Sequence, residues 1–352
     1  MASVTAAQTA NDNQVPSAFR RWWDSKMMKR FRRNPLALVG AVLLALFLLA
    51  GFFAPIISPQ PNINCLRSIG VSASTVGDIR NPLKPAFWKL VGAAPLAQSP
   101  YYDCYTIPRS SFSPVPQSAA ESGTILGTTS GGYDIFYGLI WGIRTAFFIG
   151  IAVVGFGLIV GIIVGSIAGY FGGWIDNVLM RLIDVIFAVP GLVVAMVIVT
   201  VLGQNIFNVM IALAVVGWAG YARILRGDIL QIKEQEYVTG AQALGARGPG
   251  IIFKHILPNS VGTLIIIASL DIGSVVLAAA ALSFLGLGVP VGFADWGQMV
   301  NFARNWLLGP PGNPWAYWFV SFWPGLIIVL FVLAWNLLGD AFRDVLDVRS
   351  NS

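Results

Sequence analysis

Few side chains in this sequence could do covalent chemistry. It holds one histidine, His255, and two cysteines, Cys65 and Cys104. That set is too thin for a zinc or iron–sulfur framework. His255 stands just before Ile256-Leu257-Pro258 and reads as an interfacial residue rather than an acid–base catalyst. There is no Gly-Lys dipeptide, hence no phosphate-cradling P-loop. Two acids fall nearest to long apolar runs, Asp184 and Asp271. Ionisable groups in such places face a cavity or a partner and are functional candidates by default. Asp184 follows Arg181 by three residues and reads as paired or held at headgroup level. Asp271 lies well inside an apolar stretch and is a candidate lining residue of a pathway. What these residues permit is passage and recognition, not bond making.

The elements that position them are those of a protein dissolved in lipid. Of the 352 residues, 56% are hydrophobic and 11% charged, against about 25% charged in soluble domains. The net charge of +6 would suit nucleic acid, but the basic residues flank apolar runs, so membrane lipid is expected as the partner and nucleic acid is not. A bilayer core takes about 20 apolar residues per helix. Charge-free stretches run over 34–66, 145–175 and 185–222. The first gives one span over 35–57 and the second gives span two. The third is long enough for two passes turning at Gly203-Gln204-Asn205, with Pro190-Gly191 expected to bend span three because proline removes a backbone donor. Spans five and six are expected over 261–287 and 317–338.

The chain thus reads as an all-α integral membrane protein of six transmembrane helices. Both termini then lie on one side. Basic residues crowd the amino terminus (Arg20, Arg21, Lys26, Lys29, Arg30, Arg32, Arg33) and the segment between spans four and five (Arg223, Arg226, Lys233, Arg247, Lys254), with Arg343 and Arg349 near the end. By the positive-inside rule these parts are cytoplasmic. The organisation is a basic segment over 1–34, a first span over 35–57 and a long extracytoplasmic loop over 58–143. A five-helix core follows over 144–340, containing a cytoplasmic segment at 223–259, and a tail occupies 341–352. Cys65 and Cys104 lie in the external loop, where a disulfide can form; two isolated thiols are the alternative. Trp296, Trp306 and Trp315 in the second external segment read first as interfacial anchors.

Two features speak to packing and coupling. Gly157, Gly161, Gly165 and Gly169 recur every fourth residue on one face of span two, where a second helix can approach its backbone. Ser166 beside them can add a hydrogen bond. Between spans four and five, the run Val238, Thr239, Gly240, Ala241, Gln242, Ala243, Leu244, Gly245 reads as a short helix. Val238, Ala241 and Leu244 form an apolar stripe. The small residues among them let a partner come close, and Gly245 with Gly248-Pro249-Gly250 ends the helix. Such an element looks like a docking site; a surface helix against lipid headgroups is the plainer alternative.

This segment resembles the "EAA" loop of ATP-binding-cassette importer permeases, which reads Glu-Ala-Ala, a three-residue gap, Gly, a nine-residue gap, Ile, any residue, Leu-Pro. Thr239-Gly240-Ala241, Gly245 and Leu257-Pro258 stand at the matching places; Thr239, Gly240 and His255 depart from the pattern. More specifically the chain is similar to the dipeptide/oligopeptide/nickel permease family, second-subunit type. The matching runs are Lys29-Arg30-Phe31-Arg32-Arg33-Asn34-Pro35, Trp141-Gly142-Ile143-Arg144-Thr145, Ala281-Leu282-Ser283-Phe284-Leu285-Gly286 and Asn336-Leu337-Leu338-Gly339-Asp340. Ala279 stands where the family often has Glu. The resemblance implies a type I ABC importer permease fold in a bacterial or archaeal cytoplasmic membrane. It also implies a second permease subunit, two ABC ATPase subunits that bind ATP and Mg, and an extracytoplasmic solute-binding protein. This chain would hold no cofactor and would not itself be an enzyme. A stand-alone secondary transporter or channel is the competing reading, which would leave the 223–259 segment without a purpose.

Overall fold

A computed structural model describes residues 26–346, apart from 60, 61, 97, 111, 246 and 247. Arg20, Arg21, Arg247 and Arg349, and the side chains of Ala241, Gln242 and His255, lie outside the described residues. Helix α1 (Lys26–Arg33) meets α2 (Pro35–Phe52) at Asn34. The Asn34 side chain accepts from the amides of Leu36 and Ala37, and Pro35 opens the helix where no donor is needed. The core continues with α3 (Ile135–Phe171), α4 (Gly173–Phe187), α5 (Gly191–Leu202), α6 (Ile206–Lys233), α7 (Glu236–Ala243), α8 (Leu257–Phe284), α9 (Trp296–Ala303) and α10 (Trp318–Leu346). Among the described residues there is no β-strand, only isolated bridges.

Five helices, α2, α3, α6, α8 and α10, are long and apolar enough to cross a membrane. The pair α4–α5 gives a sixth crossing, bent by 81° at the break before Gly191. The turn after α5 stands at the same end of the bundle as the end of α8, since Gln204 Nε2 donates to the Gly286 carbonyl at 2.6 Å. Asn34 and Asp344, 2.9 Å apart, join the start and finish of the bundle at the opposite end. We call that end basic and the other the disulfide end.

The glycine ladder is the seam between α3 and α6. A methyl group on Gly165 would lie 2.7 Å from the Ala222 carbonyl oxygen, and one on Gly169 would lie 2.9 Å from Ile229 Cβ. Gly157 and Gly161 face Tyr221 in the same way. With α6 seated directly on the bare backbone of α3, dispersion contacts replace the hydrophobic effect that lipid cannot supply. Ser166 is buried beside the ladder, and its hydroxyl makes no hydrogen bond.

Of the expected 58–143 loop, residues 135–143 are the first turns of α3, and the described residues of 58–134 form a compact cap. Cys65 on the helix Ile63–Ser68 and Cys104 on the turn Tyr102–Tyr105 form a buried disulfide with Cα atoms 4.8 Å apart. The cap is fastened to the bundle at several points. Trp141 donates to the Ser58 carbonyl at 2.9 Å, and Tyr137 to the Cys104 carbonyl at 3.0 Å. The Ile107 and Ala294 amides donate to the Gly292 and Tyr105 carbonyls, each at 2.7 Å. Phe293 stacks on both Tyr102 and Tyr105, and Tyr133 lies parallel to Phe302. Charged Arg144 does not end α3 at its outer side, because the guanidinium is received by the cap; the helix begins ten residues before the charge-free stretch.

Trp296 corrects the reading of an interfacial anchor. It is 2% exposed, donates to the Leu139 carbonyl at 3.1 Å and packs edge-on against Phe331. Trp315, 75% exposed, keeps the interfacial character. The loop entering α9 is organised by Gln298, whose side chain accepts from the Gly292 amide and donates to the Val289 and Pro290 carbonyls. Asp295 caps α9, accepting from the Gln298 amide at 2.9 Å.

Candidate functional site

Helix α7 hangs between α6 and α8 at the basic end. Glu234 and Gln235 separate it from α6, and the Gln235 carbonyl accepts from the Val238 and Thr239 amides. Gly245 ends the turn with φ +86°, a conformation that costs any residue with a Cβ. A helical turn at Gly248–Ile251 and a π-helical turn at Ile252–Ile256 lead into α8, with Pro258 in its first turn.

The apolar stripe read from spacing divides in space. Val238 is 0% exposed and roots the helix in the bundle, whereas Leu244 is 92% exposed. Steps of three residues drift about 60° around a helix each time, so positions six apart stand about 120° apart. Glu236, Tyr237, Thr239, Gly240 and Ala243 are also exposed, and a Cβ on Gly240 would meet nothing. Tyr237 is steadied by Asn259, whose amide donates to its hydroxyl at 3.2 Å. Among the described side chains, Val238 is thus the one root of the helix, and Thr239, Gly240 and Ala243 present a bare, small-residue surface that ends in exposed Leu244.

What α7 is tied to determines what its movement would do. The end of α6 is held to the end of α3 by Lys233, which donates to the Tyr170 carbonyl at 2.8 Å. Two ion pairs hold α4 across α6. Arg226 grips Asp176 bidentately, at 2.5 and 2.6 Å, and Arg223 pairs with Asp184. Bidentate guanidinium–carboxylate geometry fixes orientation as well as distance, while the more exposed Arg223–Asp184 pair contributes little energy. Asp184 thus finds its partner on α6 and not in Arg181. Sequence spacing carries no signal for the Asp176–Arg226 pair, because its members are fifty residues apart. Asp271, half-buried on α8, faces Tyr221 of α6, the tyrosine that also lies against Gly157 and Gly161.

At the disulfide end, burial raises the pKa of three ionisable groups in particular. Burial, with Asp103 adding a like charge, pushes the Tyr102 hydroxyl up to about 12. Burial also holds the cap carboxylates Asp134 and Asp295 above the ordinary aspartate value, against the amides that hydrogen-bond to them.

Residues 161–351 match the model of the family described as binding-protein-dependent transport system inner membrane component. Residues 21–67 match the N-terminal TM domain of oligopeptide transport permease C. An oligopeptide transport system permease protein of Bacillus subtilis is 31% identical over 349 residues, covering 99% of this chain and 97% of that protein. A glutathione transport system permease protein of Pectobacterium atrosepticum is 40% identical over 227 residues, covering 64% of this chain and 73% of the other. A dipeptide transport system permease protein of Alkalihalophilus pseudofirmus is 36% identical over 226 residues, covering 64% and 72%.

Proposed function

The chain belongs to the family of binding-protein-dependent transport system inner membrane components, and on that premise we propose that it is one of two permease subunits of an ABC importer for peptides or peptide-like solutes. The relatives named for oligopeptide, dipeptide and glutathione transport support that cargo class. In this reading a sister permease completes the translocation path, with Asp271 on its wall. Two ATPase subunits bind ATP and Mg at the basic end, which is cytoplasmic. A solute-binding protein delivers cargo at the disulfide end, outside. This chain carries out no bond chemistry of its own.

The observation that carries the reading is α7, whose described side chains are all exposed except that of Val238, with Leu244 beyond it at 92% exposure. A leucine left in water gains when a partner covers it, and an uncovered Gly240 lets that partner reach the backbone. When nucleotide closes the ATPases, α7 moves with them. Its covalent continuity with α6 and α8, and the ties of α6 to α3 and α4, pass the displacement into the bundle. Coupling of this kind needs one element that both sites bias.

The test is Leu244→Asp in the reconstituted importer. We expect membrane insertion and thermal stability as in the wild type. Uptake should fall at least about tenfold, the equivalent of losing roughly 1.4 kcal/mol of coupling. ATP hydrolysis should no longer respond to loaded binding protein. Uptake at the wild-type rate would refute the docking role.

A further inference from the structure

A cleft of about 510 Å³ opens between α2, α3 and the cap segment from Val91 to Pro95. Leu48 and Phe52 from α2 face Phe148 and Ile151 from α3 across its apolar part. Leu48, Phe52 and Ile151 are exposed, so this part opens toward the surrounding lipid. Arg144 is the one charged residue in the wall.

The depth of Arg144 follows from α2. Gly51 lies against Ile143 and Arg144, and it stands sixteen residues beyond Pro35. At 1.5 Å per residue that is about 24 Å along the helix, near the far edge of a ~30 Å hydrocarbon core. Exposed Trp88, its ring edge-on to Phe52, marks the same level, since indole rings settle at headgroup depth.

The charge at this depth is not answered by the protein. Arg144 Nη2 donates to the Val91 and Ala93 carbonyls at 2.6 and 3.1 Å, and the guanidinium stands over the rings of Tyr105 and Trp141. No carboxylate among the described residues pairs with it, and its Nη1 makes no hydrogen bond. A partly buried cation with one donor unmet and no counter-charge is costly. Carbonyls and ring faces relieve that only in part.

We propose that the cleft is a phospholipid site: one lipid of the adjoining leaflet lays an acyl chain between Leu48 and Ile151 and brings its phosphate diester to Arg144. The phosphate, lying against the guanidinium in the wall of the cleft, supplies the negative charge that no protein group supplies. A free phosphate ion would satisfy the charge but gain nothing from the apolar walls. Because no acid lines the cleft to receive an ammonium, lipids with an anionic, amine-free headgroup fit better than zwitterionic ones.

The test uses the complete importer, purified in detergent and exchanged exhaustively. Native mass spectrometry and lipid extraction should find a retained phospholipid that Arg144→Gln lacks. That variant also removes the ties to Val91 and Ala93, so a second one leaves Arg144 alone: Leu48→Trp fills the lipid-facing part of the cleft. It should lose the same lipid and keep wild-type stability in lipid-free detergent. Phosphatidylglycerol added back to delipidated protein should raise the thermal midpoint of the wild type, with at least ~tenfold weaker apparent affinity in either variant. Inorganic phosphate should neither stabilise nor compete. Equal lipid retention in all three proteins, stabilisation by inorganic phosphate alone, or a sister-permease helix cross-linked into the cleft would each overturn the proposal.

Discussion

At the disulfide end, Tyr102, Tyr105 and Phe293 stack, Gln298 fastens three backbone groups, and a covalent bond joins residues thirty-nine positions apart. At the basic end, Val238 is the one buried side chain among those described in α7, and Leu244 and Gly240 are open. The first region is tied together by its own side chains and backbone, with Thr128 Oγ1 and Arg144 Nη1 among the few groups left over; the second is left for another molecule to cover. The contrast teaches where each kind of work is done. A surface that positions something needs internal bonds, whereas a surface that is gripped needs vacancies.

Three experiments break or sharpen the contrast. The largest effect should follow from replacing Cys65 and Cys104 with serine, which removes a cross-link closing a long loop and should cost about 2–4 kcal/mol. Limited proteolysis should then cut within 58–134 while the α3–α6 seam stays protected; unchanged resistance would mean that the aromatic stacks suffice. Next comes Gly245→Val at the other end. A branched residue at positive φ costs about 1–2 kcal/mol, and the loss should be confined to α7, seen as faster amide exchange over 236–245 with no change in the cap. A global loss of protection would erase the distinction between the two regions.

The smallest effect concerns pH. Burial raises the folded-state pKa of Asp295 above the unfolded value. Its contribution to stability is therefore complete below the ordinary aspartate pKa and disappears as pH rises through the elevated folded value. Asp134 acts in the same direction. The thermal midpoint of the wild type relative to Asp295→Asn should fall as pH rises above about 4, the ordinary aspartate value. Asparagine keeps the helix cap and does not titrate. A difference that is flat with pH, or that grows with it, would contradict the sign.

The spanning helices were legible because lipid excludes charge along a whole element, so 34–66, 145–175 and 185–222 announce themselves. The bend near Pro190 and the turn at Gly203 were legible for the same local reason, a residue that cannot continue a helix. The ladder from Gly157 to Gly169 named a packing face, though not its partner α6. The cap gave no such signal. Its order comes from pairs distant in sequence, such as Tyr102 with Phe293 and Tyr137 with the Cys104 carbonyl, and no periodicity encodes those. Trp296 was misread for a related reason: an indole at a wet boundary and an indole beneath one have the same neighbours in sequence. In α7 the spacing suggested one stripe, and only the rotation per residue separates rooted Val238 from outward Leu244.

The α3 side of the seam is bare backbone and has no rotamers to reshuffle. Along α3 and α6 the fit repeats every fourth residue, from Gly157 facing Tyr221 to Gly169 facing Ile229. A slide shorter than one turn, about 5.4 Å, would push side-chain carbons into notches sized for hydrogen. The two helices are thus geared tooth to notch, and small pushes applied to one must carry the other bodily along.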